Sequence, residues 1–255
     1  MGGLLMLENL SLVNPWLIGI GLNSLLFTLA WFAPKKLLTP VGILNGWLLG
    51  VIVWGCLGWQ GYAVVLFYFF VGSAVTRIKM EQKEAEGIAE ANSGARGAGN
   101  VWGSALTATI CALASLFVDS PIRELFWLGY VASFCTKLSD TTATEVGKAY
   151  GKRTFLITTL QPVPRGTEGA VSLEGTGAGI VASVIIAFVG WGVGMVSLLG
   201  VFWCAIAAFV ATTIESLIGA TIEEKLTWLT HDLVNIINTT IGAIVAIVLA
   251  SVFYL

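Results

Sequence analysis

The sequence predicts an all-α fold, a polytopic transmembrane helical bundle, and three observations lead to that prediction. Of the 255 residues, 56% are hydrophobic and only 11% are charged, with a mean hydropathy of +0.87. A soluble domain carries about 25% charged residues, and a chain this apolar cannot cover itself with polar surface in water. The third observation is a series of apolar runs long enough to cross a bilayer.

Eight apolar runs predict about eight spans in a single integral membrane domain, residues 1–255. They cover 15–33, 41–58, 60–76, 100–118, 121–138, 176–192, 194–214 and 234–254. The glycine-containing segments 58–61 and 190–194 are typical of tight turns between antiparallel helices, and Pro15 and Pro121 are expected to open helices. Residues 1–14 lack the basic region and cleavage site of a signal peptide, so the first run should remain as a helix.

The polar residues gather in three loops, 77–99, 139–175 and 215–233. Twelve of the thirteen Lys and Arg residues follow odd-numbered spans, and Arg123 alone lies on the other side. Because cytoplasmic loops are enriched in Lys and Arg, these loops are predicted in the cytoplasm, with both termini on the non-cytoplasmic side. Twelve of the fifteen acidic residues share that side. This asymmetry favours an enzyme with a cytosolic and a membrane-dissolved substrate over a transporter.

Two functional classes are disfavoured by the residues that the sequence lacks. Cys56, Cys111, Cys135 and Cys204 lie singly inside apolar runs, without the spacing of a zinc or redox site, and are interpreted as small buried hydrophobes. Nucleic-acid binding is excluded because no basic stripe follows any part of the chain.

The first polar loop contains a charged segment and a glycine-rich segment. Charges spaced for i,i+3 and i,i+4 pairs over 77–86 predict a solvated surface helix. The segment Asn92–Asn100 follows, with three glycines that allow positive φ. The N–H groups at the start of the next helix favour an anion that Arg96 could bind, with Asn100 beside it. An ordinary helix N-cap is the alternative.

The second polar loop begins with a set of oxygen ligands. Asp140 comes at the end of a predicted span, near hydrocarbon and at the negative end of the helix dipole, so it requires a cation. Asp140 and Thr144 are four residues apart, as are Thr141 and Glu145, which places hard oxygen ligands suited to Mg²⁺ on adjoining faces. An interfacial cap paired with Lys137 is the alternative.

Later in the same loop, donors suited to phosphate follow one another. Lys152 and Arg153 precede a segment that contains Arg165, Gly166, Thr167, Glu168, Gly169 and Ser172. No Walker A sequence is present. Glycines with neighbouring hydroxyl and Arg donors can nevertheless form a nest for phosphate oxygens, and residues 154–160 are β-prone enough to form a short strand.

The last polar loop joins two acidic segments. Glu215 ends the seventh span much as Asp140 ends the fifth, and Asp232, Asn235 and Asn238 follow at three-residue steps on one side of the last helix. Polar side chains facing lipid are costly, so these should point inward to a site. Interhelical hydrogen bonding is the alternative. His231 is interpreted as a headgroup-level residue and not as a base.

Taken together, these segments resemble the phytyl-phosphate kinase family of cyanobacteria and plastids. The resemblance rests on Ser93–Arg96 with Asn100–Trp102, Ser139–Gly147, Pro164–Ser172, Glu215–Ala220 and Asp232–Asn238, in order along most of the chain from about residue 70. His231 stands where plant members are expected to have Asn, and Thr144 where Ser is usual. Neither difference removes a carboxylate.

The resemblance implies transfer of the terminal phosphoryl group of a nucleoside triphosphate, with CTP as the expected donor, to phytyl phosphate. The product would be phytyl diphosphate for tocopherol and phylloquinone synthesis, made in a cyanobacterial plasma or thylakoid membrane with the site facing the cytoplasm. On this interpretation Asp140, Glu145 and Arg165 are catalytic. Mg²⁺ is expected on Asp140 and Glu145, with Glu215 and Asp232 for a second ion. The expected substrate-binding residues are Arg96, Asn100, Thr141, Thr144, Lys152, Arg153, Gly166, Thr167, Glu168, Gly169, Ser172, Asn235 and Asn238.

Other functions use the same features. A phytol kinase or a CDP-alcohol-type transferase would need the same carboxylates and Mg²⁺. A secondary transporter of a lipid phosphate would place charges near the midplane of the bilayer, and a scaffold protein would leave the intramembrane Asn residues without a task. The partners expected are the lipid bilayer, a prenyl phosphate and a nucleotide, and the sequence is compatible with a homo-oligomer.

Overall fold

The computed structural model describes residues 14–221, 226 and 228–254, apart from the side chain of residue 254, and is mostly helical over these residues. Residues 1–13 and Lys225, which enter the sequence-based predictions, lie outside this part of the chain. The helices are α1 (Pro15–Phe32), α2 (Pro40–Thr76), α3 (Met80–Ala85), α4 (Ala98–Ala114), α5 (Ile122–Tyr150), α6 (Leu173–Gly192), α7 (Leu198–Thr221) and α8 (His231–Tyr254), with a 3₁₀ turn at Ala91–Gly94.

One small β-ladder departs from the all-α prediction. Strand β1 (Phe155–Leu156) pairs antiparallel with β2 (Ala170–Val171), with Phe155 opposite Val171. Strand β1 falls inside the β-prone segment 154–160. The ladder closes the loop that carries the predicted phosphate-binding residues.

Helix α2 contains two predicted spans and reverses direction between them. Gly58 has φ 61° and ψ −154°, outside helical geometry. A straight helix would separate Gly42 from Gly72 by about 45 Å, yet both glycines lie against Arg96. The rings of Trp54 and Tyr62 on the two arms are 5.2 Å apart. The turn predicted at 58–61 is therefore present as a sharp bend of antiparallel arms.

Local capping explains where several helices begin. Asn14 Oδ1 accepts the Trp16 N–H at 2.9 Å, and Pro15 occupies the first turn of α1. Thr39 caps α2 through the Gly42 N–H at 3.1 Å, again with a proline in the first turn. Since a first-turn N–H has no helical partner, proline costs nothing there. Pro121 immediately precedes α5, as the sequence predicts.

The predicted spans and the observed helices differ mainly at the ends that carry the polar loops. Within the described residues, α1, α2, α6, α7 and α8 are long and apolar enough to cross a membrane. Helix α4 is shorter than its predicted span, and α5 continues through residues 139–150, which the sequence assigned to a loop. Helix α7 likewise continues past residue 214 to Thr221. The count of eight spans and the orientation of the termini stay predictions.

Helix α5 is the centre of the bundle. It packs against α2, α4, α6, α7 and α8, and its Tyr130 and Phe134 are fully buried. The Tyr130 hydroxyl donates to the Gly61 carbonyl at 2.7 Å, which satisfies a polar group in an apolar interior. Three of the four cysteines, all except Cys56, are buried free thiols, as expected for small hydrophobes.

Single-cysteine labelling tests the predicted orientation. In a variant without its native cysteines, Lys35→Cys and Lys152→Cys should react with an impermeant maleimide only after cells are opened, and Asp119→Cys in intact cells. All three positions are exposed in the structure, so a failure to label cannot be attributed to burial. Labelling of Lys35→Cys and Asp119→Cys from the same side would contradict the orientation.

Candidate functional site

The three polar segments converge on one cavity of about 360 Å³ at a single end of the bundle. Its wall combines charged and amide groups with many hydroxyls. The charged and amide residues are Glu90, Arg96, Asn100, Lys137, Asp140, Glu145, Lys148, Glu168, Glu215, His231 and Asn235. The hydroxyl residues are Tyr68, Thr76, Ser104, Ser139, Thr141, Thr144, Thr154, Thr167, Ser172, Thr176, Thr212, Thr213 and Ser216.

A buried lysine forms the inner end of the cavity. Lys137 Nζ donates to Asp140 Oδ2 and to Asn235 Oδ1, each at 2.6 Å, and thereby joins α5 to α8. All three residues are buried. The pairing of Asp140 with Lys137, the alternative left open by the sequence, is therefore present, but inside the cavity and not as an interfacial cap. The second oxygen of Asp140 accepts no hydrogen bond within the described residues.

Glu145 is also paired with a lysine. Lys83 on α3 is 1% exposed and donates to Glu145 Oε2 and to the Thr76 carbonyl. The prediction of a solvated surface helix over 77–86 is therefore wrong for Lys83, because α3 lies across the end of α5. Glu145 lies beyond the predicted span 121–138. Burial raises the pKa of its carboxyl, and the Lys83 ammonium opposes that shift.

Arg96 is held by backbone as well as by side chains. The Thr39 N–H donates to the Arg96 carbonyl at 3.1 Å, and the Arg96 N–H to the Leu37 carbonyl at 3.0 Å. Its guanidinium donates to the Tyr68 hydroxyl and lies over the Tyr68 ring, 4.8 Å from the centroid. A cation stacked on a ring and fixed at its backbone presents its remaining donors in a set direction.

The glycine-rich segment before α4 contains the N-cap residue, Gly97, and a carboxylate of the protein itself lies at the start of the helix. Of its three glycines only Gly94 has a positive φ, 75°, and Asn100 Oδ1 accepts the Gly97 N–H at 3.2 Å. A Cβ at Gly99 would overlap the Asp232 carboxylate. The Asp232 carboxylate therefore lies against the first turn of α4, where the helix dipole favours a negative charge.

The loop over the cavity is attached at two glycines. Gly166 and Gly169 have φ of 84° and 71°, and a Cβ would overlap Ile88 at the first and Ala220 of α7 at the second. Arg165 donates to Glu86 at 2.9 and 3.0 Å and to the Lys148 carbonyl at 3.1 Å. Its guanidinium therefore anchors the loop to α3 and to the end of α5.

The structure brings most predicted site residues together and leaves five outside the cavity wall formed by the described residues: Arg165, Lys152, Arg153, Asp232 and Asn238. Lys152 and Arg153 are exposed to solvent. Asn235 and Asn238 both lie in the interior, as predicted. The Asn238 amide is fully buried and has no hydrogen-bond partner among the residues that the structure describes. Their binding roles stay predictions.

The sequence-based interpretation missed several residues in the wall. Lys137 was considered only as a partner of Asp140, Lys148 only as a cytoplasmic charge, and His231 only as a headgroup-level residue. The hydroxyls of α7 were also missed. A signal for Lys148 was available: it follows Lys137 by eleven residues, which is three helical turns and returns to the same face.

The donor set fits a Mg²⁺ ion only if substrate oxygens complete its coordination. Among the described residues, no three His, Cys, Asp or Glu side chains form a metal-binding group. However, no donor among the described residues bonds to the second carboxylate oxygen of Asp140 or of Glu145, and neither of these oxygens is fully buried. Mg²⁺ is commonly held by one or two carboxylates together with phosphates and water. The wall suits that arrangement.

Comparison with known proteins identifies relatives along nearly the whole chain. The family described as "Integral membrane protein DUF92" matches residues 23–243, a range that includes every residue of the cavity wall. An uncharacterized membrane protein of Synechocystis is 63% identical over 237 residues, covering 93% of this chain and 92% of that protein. Protein VTE6, chloroplastic, of Arabidopsis thaliana is 44% identical over 238 residues, covering 92% and 72%.

A more distant relative, an uncharacterized membrane protein of Methanocaldococcus jannaschii, is 28% identical over 221 residues, covering 84% of this chain and 87% of that protein. No solved structure matches the chain. The resemblance to a cyanobacterial and plastid family, drawn from the sequence motifs, is confirmed.

Substitution of Gly99 tests the placement of Asp232. Gly99→Ala should lower the thermal unfolding midpoint in detergent by about 5 °C, because the new methyl group displaces the carboxylate from the start of α4. Gly177→Ala is the matched control, since a Cβ there meets nothing within 4 Å. Equal midpoints for the two variants would show that Asp232 does not pack on Gly99.

Proposed function

Since the chain belongs to the DUF92 family of integral membrane proteins, we propose that it is a prenyl-phosphate kinase that converts phytyl phosphate to phytyl diphosphate. The phosphoryl donor is a nucleoside triphosphate, with CTP the first candidate. The observation that carries the proposal is the convergence of five sequence motifs on one cavity. Each segment on which the resemblance to phytyl-phosphate kinases rests contributes at least one residue to its wall.

The chemistry proposed needs little from a general base. A phosphate monoester has a second pKa of about 6 and is already an anionic nucleophile at neutral pH. Its oxygen forms a bond to the terminal phosphorus of the nucleotide, the bond from that phosphorus to the bridging oxygen breaks, and the nucleoside diphosphate leaves with the electron pair. The difficulty lies in bringing two polyanions into line, so catalysis is mostly positioning and charge stabilisation.

The cavity wall supplies groups for that task. Arg96, Lys137 and Lys148 are its Lys and Arg side chains. The loop that contains Gly169 offers backbone N–H donors, and the Ser172 hydroxyl, which accepts the Gly175 N–H, can also donate. Asp140 and Glu145, with Glu215 nearby in the wall, would hold Mg²⁺ against phosphate oxygens. When bound, the ion would neutralise charge that develops during transfer. We assign Arg165 to positioning, because its guanidinium holds the loop and lies outside the wall.

The cavity also has an apolar exit that suits a prenyl chain. Ile180 of α6 and Phe209 of α7 line the cavity, and each leaves close to half of its surface accessible, 42% and 48%. A lipid phosphate could therefore place its headgroup inside while its hydrocarbon tail leaves between α6 and α7 into the bilayer. Such a path explains why a polar cavity opens beside large apolar side chains.

The proposed activity is tested with purified protein in detergent, Mg²⁺, and phytyl phosphate or phytol with each of CTP, ATP, GTP and UTP. We expect phytyl diphosphate from phytyl phosphate, identified by mass spectrometry, and no product from phytol. Asp140→Asn should lower kcat/KM by about a hundredfold or more, since charge stabilisation dominates such sites. Phosphorylation of phytol in place of its phosphate would overturn the proposal.

Paired substitutions separate the two interpretations of Arg165. If Arg165 acts through the loop, Glu86→Gln and Arg165→Gln break the same ion pair and should lower kcat/KM by similar factors, about tenfold or less for a partly exposed pair. If Arg165 binds phosphate directly, Arg165→Gln will be far more damaging than Glu86→Gln. Lys35→Met, at an exposed position outside the cavity, controls for loss of a surface charge.

A further inference from the structure

The two lysines of the cavity occupy the same face of α5 at different depths. Lys137 and Lys148 are eleven residues apart, which places them about 16 Å apart along the axis and within about 20° around it. Asp140, Thr141 and Thr144 lie between them on the same side and also line the cavity. A row of phosphates lying along this face would therefore have an ammonium group at each end.

The packing of α6 against α5 identifies which end is deeper. A Cβ at Gly175 would overlap the Ala143 carbonyl, and one at Gly179 would lie 2.8 Å from the Ser139 carbonyl. These contacts place Ile180 at the level of Ser139 and Asp140, beside Lys137. Lys148, in contrast, lies in the last turn of α5, where the Arg165 guanidinium binds its carbonyl.

Helix α7 gives the same depth assignment independently. Ala220, near its end, packs on Gly169 of the loop, whereas Phe209 comes eleven residues earlier, about 16 Å deeper along the helix. The apolar exit formed by Ile180 and Phe209 is thus at the Lys137 end. The glycine-containing loop is at the Lys148 end.

We propose that Lys137 binds the phosphate of the prenyl acceptor and that Lys148 binds the phosphates of the nucleotide, so that one face of α5 orients the two substrates toward each other. This inference rests on the proposed function. Lys137 suits the inner position because, within the described part of the chain, two of its three N–H donors are used, by Asp140 and Asn235, and the third is left for a ligand. A lipid headgroup can reach that depth with its tail still in the bilayer, and a nucleotide enters from the open, polar end.

The chemistry of each subsite follows from this order. At the inner end, an ammonium group held in place by a carboxylate and an amide meets a phosphate monoester attached to an apolar chain. At the outer end, a lysine beside the glycine-containing loop meets a longer, water-soluble polyanion. Exchanging the two substrates would bring a ribose and base against Ile180 and Phe209 and would leave the prenyl chain among the polar loop residues.

Steady-state kinetics of Lys137→Met, Lys148→Met and the control Lys35→Met test this assignment in the intact protein. Lys137→Met should raise KM for phytyl phosphate by about tenfold or more and change KM for CTP by less than about twofold. Lys148→Met should do the reverse. A rise of both KM values in either variant, a fall of kcat alone, or no change in the predicted KM would overturn the proposal.

Removal of Lys137 leaves Asp140 buried without its cation, so a second pair of variants keeps the test independent of folding. Asp140→Asn should still bind phytyl phosphate, detected as a rise in the thermal unfolding midpoint. Lys137→Gln combined with Asp140→Asn should lose that rise but keep the one caused by CTP. If the double variant retains the response to phytyl phosphate, Lys137 does not bind it. If the wild-type protein converts no phytyl phosphate with any nucleotide, the proposed function itself fails.

Discussion

A buried ammonium group imposes the strongest constraint on this bundle. A charge inside a protein is costly unless it is paired and hydrogen-bonded in place. Lys137 is neutralised by Asp140 of its own helix and also donates to Asn235 of α8. Helix α8 must therefore sit at a fixed depth and rotation beside α5. From there its Thr239 and Thr240 hydroxyls bond to Thr107 of α4. The register of three helices thus depends on one lysine.

A second set of cations acts at the polar end of the same helix. Lys83 pairs with Glu145, Lys79 donates to the Ala149 carbonyl at 3.0 Å, and Arg165 donates to the Lys148 carbonyl. The last carbonyls of a helix have no internal partners and carry the negative end of its dipole, so cations there are stabilising. Because these three cations come from α3 and the loop, the same contacts also hold α3 and the loop at the polar end of the cavity.

The sequence predicts those features that depend on local pattern or on cost in lipid. The lengths of the apolar runs predicted where most helices lie. The free-energy cost of a polar group in hydrocarbon predicted that Asn235 lies in the interior. The sequence pattern does not reveal contacts whose partner is remote along the chain or belongs to the backbone. Lys83 looks like a surface residue until Glu145, sixty-two residues later, is known to lie beside it. The sequence pattern likewise does not show that Asp232 lies against the start of α4, because that contact is made with the backbone. Threonines such as Thr212 line the cavity, but nothing in the sequence indicates this, because a threonine in a helix can also bond to a carbonyl of its own helix, as Thr212 does to Ala208.

The charge of the cavity wall bears on how polyanions could bind there. Its Asp and Glu residues are Glu90, Asp140, Glu145, Glu168 and Glu215, against Arg96, Lys137 and Lys148. Because Lys137 already forms an ion pair with Asp140, little positive charge is left in the wall to attract a nucleotide. A triphosphate that entered alone would meet more repulsion than attraction. One that entered with Mg²⁺ would carry fewer net negative charges and would give the carboxylates a cation to bind. If the cavity binds phosphates as proposed, its excess of acid is consistent with a cation that enters with the nucleotide.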